Sequence, residues 1–155
     1  MNMPKLPYAR SFQDLIVYQR ARELQRRVFE VSKGFPAEER YSLTDQIRRA
    51  SRSVGAQIAE AWAKREYAKH FVSKLTDADG EQSETQHWII TAVDAGYLQR
   101  DDARPLYLLA LEVGRMLGSM KDRPDEFCQT SATAVVREDS AEFFSQSQEP
   151  LHADY

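Results

Sequence analysis

Between residues 41 and 67 apolar side chains recur every three or four positions: Leu43, Ile47, Ala50, Val54, Ile58 and Ala61. At about 100° per residue they share one face, so the pattern predicts a long helix with that face buried. The opposite side carries Arg48, Arg49 and Arg52 in its first half and Ala56, Ala59 and Ala63 in its second. One half of the outward surface is charged, and the other is small and smooth.

The same periodicity marks three more helices. After an extended lead-in over residues 1–10, Ser11 with Asp14 resembles a capping box that opens helix one, whose stripe is Val17, Ala21, Leu24, Val28 and Val31. Phe12, Leu15, Ile16, Tyr18 and Phe29 lie off that stripe, and surplus apolar surface of this kind points to a second subunit. Gly34 in a left-handed cap, followed by Pro36, is expected to stop helix one, and Ser42 with Asp45 to cap helix two. A turn over residues 64–67 leads to helix three, residues 68–95, with Phe71, Leu75, Ala78, Ile89 and Val93 on one face. Gln82, Thr85 and Gln86 interrupt that face as a polar layer, and Asp77, Glu81 and Glu84 form an acidic ridge suited to arginines of a neighbouring helix or subunit. Gly96 ends helix three. Asp101 or Asp102 then caps a fourth helix with Pro105 in its first turn and a stripe of Leu106, Leu109, Val113, Leu117 and Met120.

Four amphipathic helices with short connections predict an all-α fold, an antiparallel up-and-down four-helix bundle over residues 11–121. A disordered acidic C-terminal tail is expected over residues 122–155, where residues 141–144 could dock as a short helix. Charge changes this picture by its distribution. The net charge is -3, yet residues 1–66 hold 13 Lys and Arg against 8 Asp and Glu, while residues 122–155 hold 2 against 8. A basic first half permits a nucleic-acid contact on a chain whose total charge argues against one. The single cysteine, Cys128, excludes an internal disulfide and a cysteine-built metal site. With no apolar run of membrane-spanning length and no signal-peptide block, a cytoplasmic location is expected.

Candidate chemistry is sparse. Glu84 and His87 have the Glu-x-x-His spacing of di-iron carboxylate bundles, but a full site needs a second such pair and two more glutamates facing inward. His70 follows Tyr67 at that spacing, and His152, which follows Glu149, belongs to the expected tail, so no second pair falls within the bundle. No glycine-rich phosphate loop or nucleophile elbow is present. No cofactor, no metal and no enzymatic activity are expected.

An ordered string of motifs carries a resemblance: Ser11-Phe-Gln-Asp-Leu-Ile-Val-Tyr-Gln-Arg-Ala, Phe35-Pro, Glu39-Arg-Tyr-Ser-Leu-Thr-Asp-Gln-Ile-Arg-Arg-Ala, Gly55-Ala-Gln-Ile-Ala-Glu, Glu84-Thr-Gln and Gly96-Tyr-Leu. Over residues 11–121 the chain resembles the bacterial four-helix-bundle proteins encoded in large-subunit ribosomal RNA intervening sequences, a family that includes the accessory variability protein of diversity-generating retroelements. It departs from the usual family pattern at Gln57 and Ala61. The resemblance implies a homopentamer and, in the retroelement branch, a basic surface for nucleic acid and a protein partner. Two functions are therefore expected as alternatives. In one, Arg48, Arg49, Arg52, Lys64 and Arg65, repeated around an oligomer, contact RNA or DNA phosphates without base preference, since no aromatic stacking is expected beside them. In the other the chain is a protein-interaction scaffold or accessory subunit, and those arginines pair with Asp77, Glu81 and Glu84 across subunits. The candidate oligomer interface comprises Phe12, Leu15, Ile16, Tyr18, Phe29, Ala56, Ala59 and Ala63.

Overall fold

The structure, a computed structural model, describes residues 8–128. Four helices form: α1 (Ile16–Ser32), α2 (Leu43–Ala63), α3 (Ala68–Asp94) and α4 (Arg100–Asp122). Each packs on its neighbours in the chain, and α4 closes back onto α1, the up-and-down bundle that the periodicity predicts. All six residues of the α2 stripe are buried, as are Phe71, Leu75, Ala78 and Ile89 of α3 and the complete α4 stripe. Burying a Leu, Ile or Phe side chain contributes about 1.5–3 kcal/mol, so these stripes hold the bundle together.

The core has two apolar halves. One gathers Val17, Ala21, Val54, Ile58, Phe71, Leu75, Val113 and Leu117. The other gathers Leu24, Val28, Ile47, Ile89, Leu106 and Leu109. Along α3 the polar layer of Gln82 and Thr85, both buried, separates them. Gln86 Nε2 donates to Gln82 Oε1 at 2.6 Å, Gln82 Nε2 donates to Asp79 Oδ1 at 2.8 Å, and Thr85 Oγ1 donates to the Glu81 carbonyl at 2.9 Å. The layer has room because α4 presents Gly114 to it: a Cβ there would lie 2.6 Å from Gln82 Nε2.

The helix ends differ from the expected ones. The Ser11–Asp14 capping box forms, but on a 3-10 turn, Phe12–Asp14; extended Leu15 then separates this turn from α1. Ser32, not Val31, is the buried residue closing the α1 stripe. Gly34 is not left-handed, because α1 ends in tight bonds such as Lys33 N to Glu30 O and Gly34 N to Val31 O, which need no positive φ. The expected cap at Ser42 is supplied by another side chain. Glu39 Oε2 accepts from the Leu43 N–H at 3.2 Å and from the Ser42 hydroxyl, and Glu39 Oε1 accepts from Tyr97 at 3.1 Å. The Ser42 hydroxyl, followed by the Leu43 N–H, holds the Glu39 carboxyl below its usual range. Gly96 does take the left-handed conformation, φ +77°, at the end of α3. Helix α4 starts at Arg100 with Gln99 as its cap, so Pro105 sits inside the helix rather than in its first turn. The carbonyl that Pro105 cannot pair belongs to Asp101, an exposed residue.

The bundle also extends past residue 121. Pro124–Glu126 form a 3-10 turn, Phe127 stacks on Phe71 with centroids 5.9 Å apart, and Cys128 packs against the same core half. Burial pushes the Cys128 thiol pKa up. The tail expected to be disordered, including residues 141–144, lies from residue 129 onward outside the described residues, as do residues 1–7.

The two glycines of α4 should respond in opposite ways to alanine. Gly118 has nothing within 4 Å of a new Cβ, so Gly118→Ala should raise stability by up to about 1 kcal/mol through helix propensity. Gly114→Ala must displace Gln82 from its hydrogen bonds and should destabilise by about 1–3 kcal/mol. Urea unfolding of the two variants checks the sign of each change.

Candidate nucleic-acid interface

The first half of α2, with the turn before it, builds one basic surface. Because the stripe from Leu43 to Ala61 faces the core, Arg48, Arg49 and Arg52 are turned toward the rim, and exposed Arg40 joins them from the preceding turn. Together with Tyr41, Thr44, Asp45, Ser53 and Ala56 they line an open cleft of about 580 Å³. Four guanidinium groups against the single carboxylate of Asp45 leave it positively charged.

These arginines are held to different degrees. Arg48 Nε donates to Ser32 Oγ at 2.7 Å, and its guanidinium carbon lies 4.7 Å from the Phe29 ring centroid. Arg52 lies 5.6 Å and the Lys33 ammonium 4.9 Å from the same ring. Phe29 is thus a platform that gathers three cations by its quadrupole, a role not legible in its place on the helical wheel. Arg40 lies 5.4 Å from the centroid of Tyr41, which is 84% exposed. Aromatic surface therefore does lie beside the arginines, contrary to the expectation from sequence. Tyr41 was missed because it sits in the turn before α2, outside any helical face.

Arg49 is engaged most fully. Its Nη2 donates to Glu84 Oε1 at 2.6 Å, and its Nη1 lies 3.8 Å from Glu81 Oε1. The acidic ridge thus meets an arginine within its own chain, while Asp77 lies 3.4 Å from Lys74. Burial pushes the Glu81 carboxyl pKa up against the opposing pull of Arg49, and Glu81 Oε2 is buried without a hydrogen bond. Lys64 and Arg65 are not part of the cleft. Lys64, the C-cap of α2, lies sixteen residues beyond Arg48, about 24 Å along the axis. Lys64 pairs with Glu60 at 3.1 Å, while Arg65 donates to the Trp62 carbonyl at 2.7 Å and lies 4.0 Å from the Trp62 ring centroid.

The eight residues proposed as an oligomer interface are also dispersed. Leu15 is 7% exposed and belongs to the chain's own core, since the break before α1 turns it inward. Phe12 and Tyr18 pack edge to face at 4.8 Å, and Tyr18 lies over Gly55 of α2. That leaves Ile16, 62% exposed, with exposed Ala56 and Ala63 and half-buried Ala59. A second apolar surface went unread: Ile90, Val93, Tyr107 and Leu108 line a groove of about 450 Å³ between α3 and α4. Its signal was the apolar positions adjoining the two stripes, next to Ile89 and Leu109.

The di-iron spacing has another use here. Glu84 Oε1 accepts from Arg49 and from Trp88 Nε1 at 3.1 Å, and His87 packs edge-on against Trp88. Among the described residues no three His, Cys, Asp or Glu side chains converge to hold a metal ion, and no helix is long and apolar enough to cross a membrane.

With this geometry in view, the model of the 23S rRNA-intervening sequence protein family matches residues 13–119. The chain belongs to that family. A solved structure from Bacteroides thetaiotaomicron, described as a protein with unknown function from the S23 ribosomal protein family, is 25% identical. It aligns with a TM-score of 0.63 over 69% of this chain and 96% of its own. No curated protein matches the sequence. The region shared with the 23S rRNA-intervening sequence proteins contains the whole arginine cleft, whereas the packed segment at Phe127 and Cys128 lies beyond it.

Proposed function

We propose that this member of the 23S rRNA-intervening sequence protein family is a non-enzymatic, cytoplasmic, oligomeric protein that binds RNA through the cleft at the start of α2. The observation that carries the reading is the convergence of Arg40, Arg48, Arg49 and Arg52 on one open surface. Guanidinium groups placed this way contact phosphates, and such contacts set affinity and position without reading bases. Tyr41 adds an exposed ring on which a base can stack, which favours single-stranded over duplex RNA. Arg49, tied to Glu84, contributes least, and Lys64 and Arg65 lie too far along α2 to share a contact with the others.

A scaffold without nucleic-acid binding is the second reading. It is favoured by the exposure of Ile16 and by the small-residue face of Ala56, Ala59 and Ala63. Pairing of α2 arginines with the acidic ridge across subunits is no longer needed for it, because Arg49 meets Glu81 and Glu84 in its own chain. An oligomer, with five copies as the expected number, is compatible with both readings.

Two experiments separate them. The affinity of the full chain for a single-stranded RNA should fall steeply with salt. Arg40→Gln and Arg52→Gln should each flatten that dependence by about 0.7 in log–log slope for every phosphate the variant no longer neutralises. Tyr41→Ala should weaken binding by about 1–3 kcal/mol if one base stacks there. Arg49→Gln should change binding less than either. Absence of binding at low salt, or a slope that none of these variants alters, favours the scaffold. Light scattering of the same samples should give a mass several times the 17.9 kDa of one chain. A monomer mass for the unaltered protein would refute the oligomer in either reading.

A further inference from the structure

The groove between α3 and α4 is chemically unlike the arginine cleft. Its walls are apolar, from Ile90, Val93, Tyr107 and Leu108, and half the surface of Ile90 and of Leu108 remains open, at 48% and 50%. Arg100 and Arg104 stand on its rim, opposed by one carboxylate, Asp94. Neither arginine has a salt bridge or a side-chain hydrogen bond among the described residues. An apolar floor with unpaired cations at its edge fits a segment that carries aromatic and acidic residues together.

The chain holds such a segment. Residues 138–144 read Glu-Asp-Ser-Ala-Glu-Phe-Phe, with three carboxylates and two adjacent phenylalanines, and no other stretch after Cys128 combines them. We propose that this segment docks in the α3–α4 groove of its own chain, with Phe143 and Phe144 covering Ile90 and Leu108 and the carboxylates facing Arg100 and Arg104. Reach permits it. Phe127 is fixed against Phe71, and Ile90 lies nineteen residues further along α3, about 28 Å away along the axis. Glu138 lies ten chain steps beyond Cys128, enough for about 33–36 Å of extended chain, and six more lead to Phe144. The arginine cleft is the poorer host, since Arg48 and Arg49 there are already bonded to Ser32 and Glu84 and most of its lining residues are charged or polar. The proposal is independent of RNA binding, which uses the other surface.

A nitroxide at Ser145→Cys in a Cys128→Ser background of the full chain tests the placement. The methyl signals of Ile90, Val93 and Leu108 should broaden beyond detection, while those of exposed Ile16 should not. The double change Phe143→Ser and Phe144→Ser, or Arg100→Gln with Arg104→Gln, should restore the broadened signals in whole or in part. Isotope-labelled chain lacking the nitroxide, mixed with unlabelled chain carrying it, should show no broadening. Unaffected groove methyls in the spin-labelled chain would overturn the proposal, as would broadening spread equally to Ile16. Broadening in the mixed sample would overturn it too, by assigning the groove to a segment of a second copy.

Discussion

Burial of one face of α2 leaves the rest of this molecule little freedom. Leu43, Ile47, Ala50, Val54, Ile58 and Ala61 are sealed between α1 and α3, contributing to both apolar halves of the core. Turning α2 by one residue, about 100°, would carry Arg48 or Arg49 toward that core, and an unpaired buried charge costs several kcal/mol. The arginines therefore have one place to go. Their convergence with Arg40 and Tyr41 on the outer surface follows from the position of the stripe, and Phe29 of α1 then holds two of them by ring contact.

The polar layer complements that constraint. Apolar stripes alone would let α3 slide along α4 by a turn at little cost, because one Leu or Val substitutes well for another. Gln82 removes this option. Its amide group is buried and hydrogen-bonded to Asp79 and Gln86, and Gly114 is the place on α4 where its bulk fits. A shifted register would bring a larger side chain against Gln82 or leave its buried polar atoms unpaired, and either outcome is unfavourable.

The helix count, the stripes, the polar layer and the end of α3 at Gly96 were legible because each depends on local periodicity or backbone chemistry. What was not legible depends on contacts between distant residues. Glu39 displaces Ser42 as the cap of α2 because Tyr97, far along the chain, helps to fix its carboxylate. Leu15 is core rather than surface because an extended residue breaks the first turn from α1, which a continuous helical wheel cannot represent. Phe29 looked surplus on that wheel and is instead a support for cations from another helix. The candidate site was half legible. Arg48, Arg49 and Arg52 do share a surface, while Arg40 and Tyr41 join it only through the fold of the turn, and Lys64 and Arg65 are separated from it by helix length.

The proposed RNA contact on the outer face of α2 rests on particular guanidinium groups. The 15N-resolved Nε–H signals of the arginines, followed as single-stranded RNA is added to the full chain, test it most directly. Arg40, Arg48 and Arg52 should shift in a saturable, salt-sensitive way. Arg20, which is bound to Glu112 at 2.6 Å on the α1–α4 side, should stay in place. Shifts confined to Arg20 or to Arg100 and Arg104, with the α2 signals unmoved, would remove RNA from the α2 face.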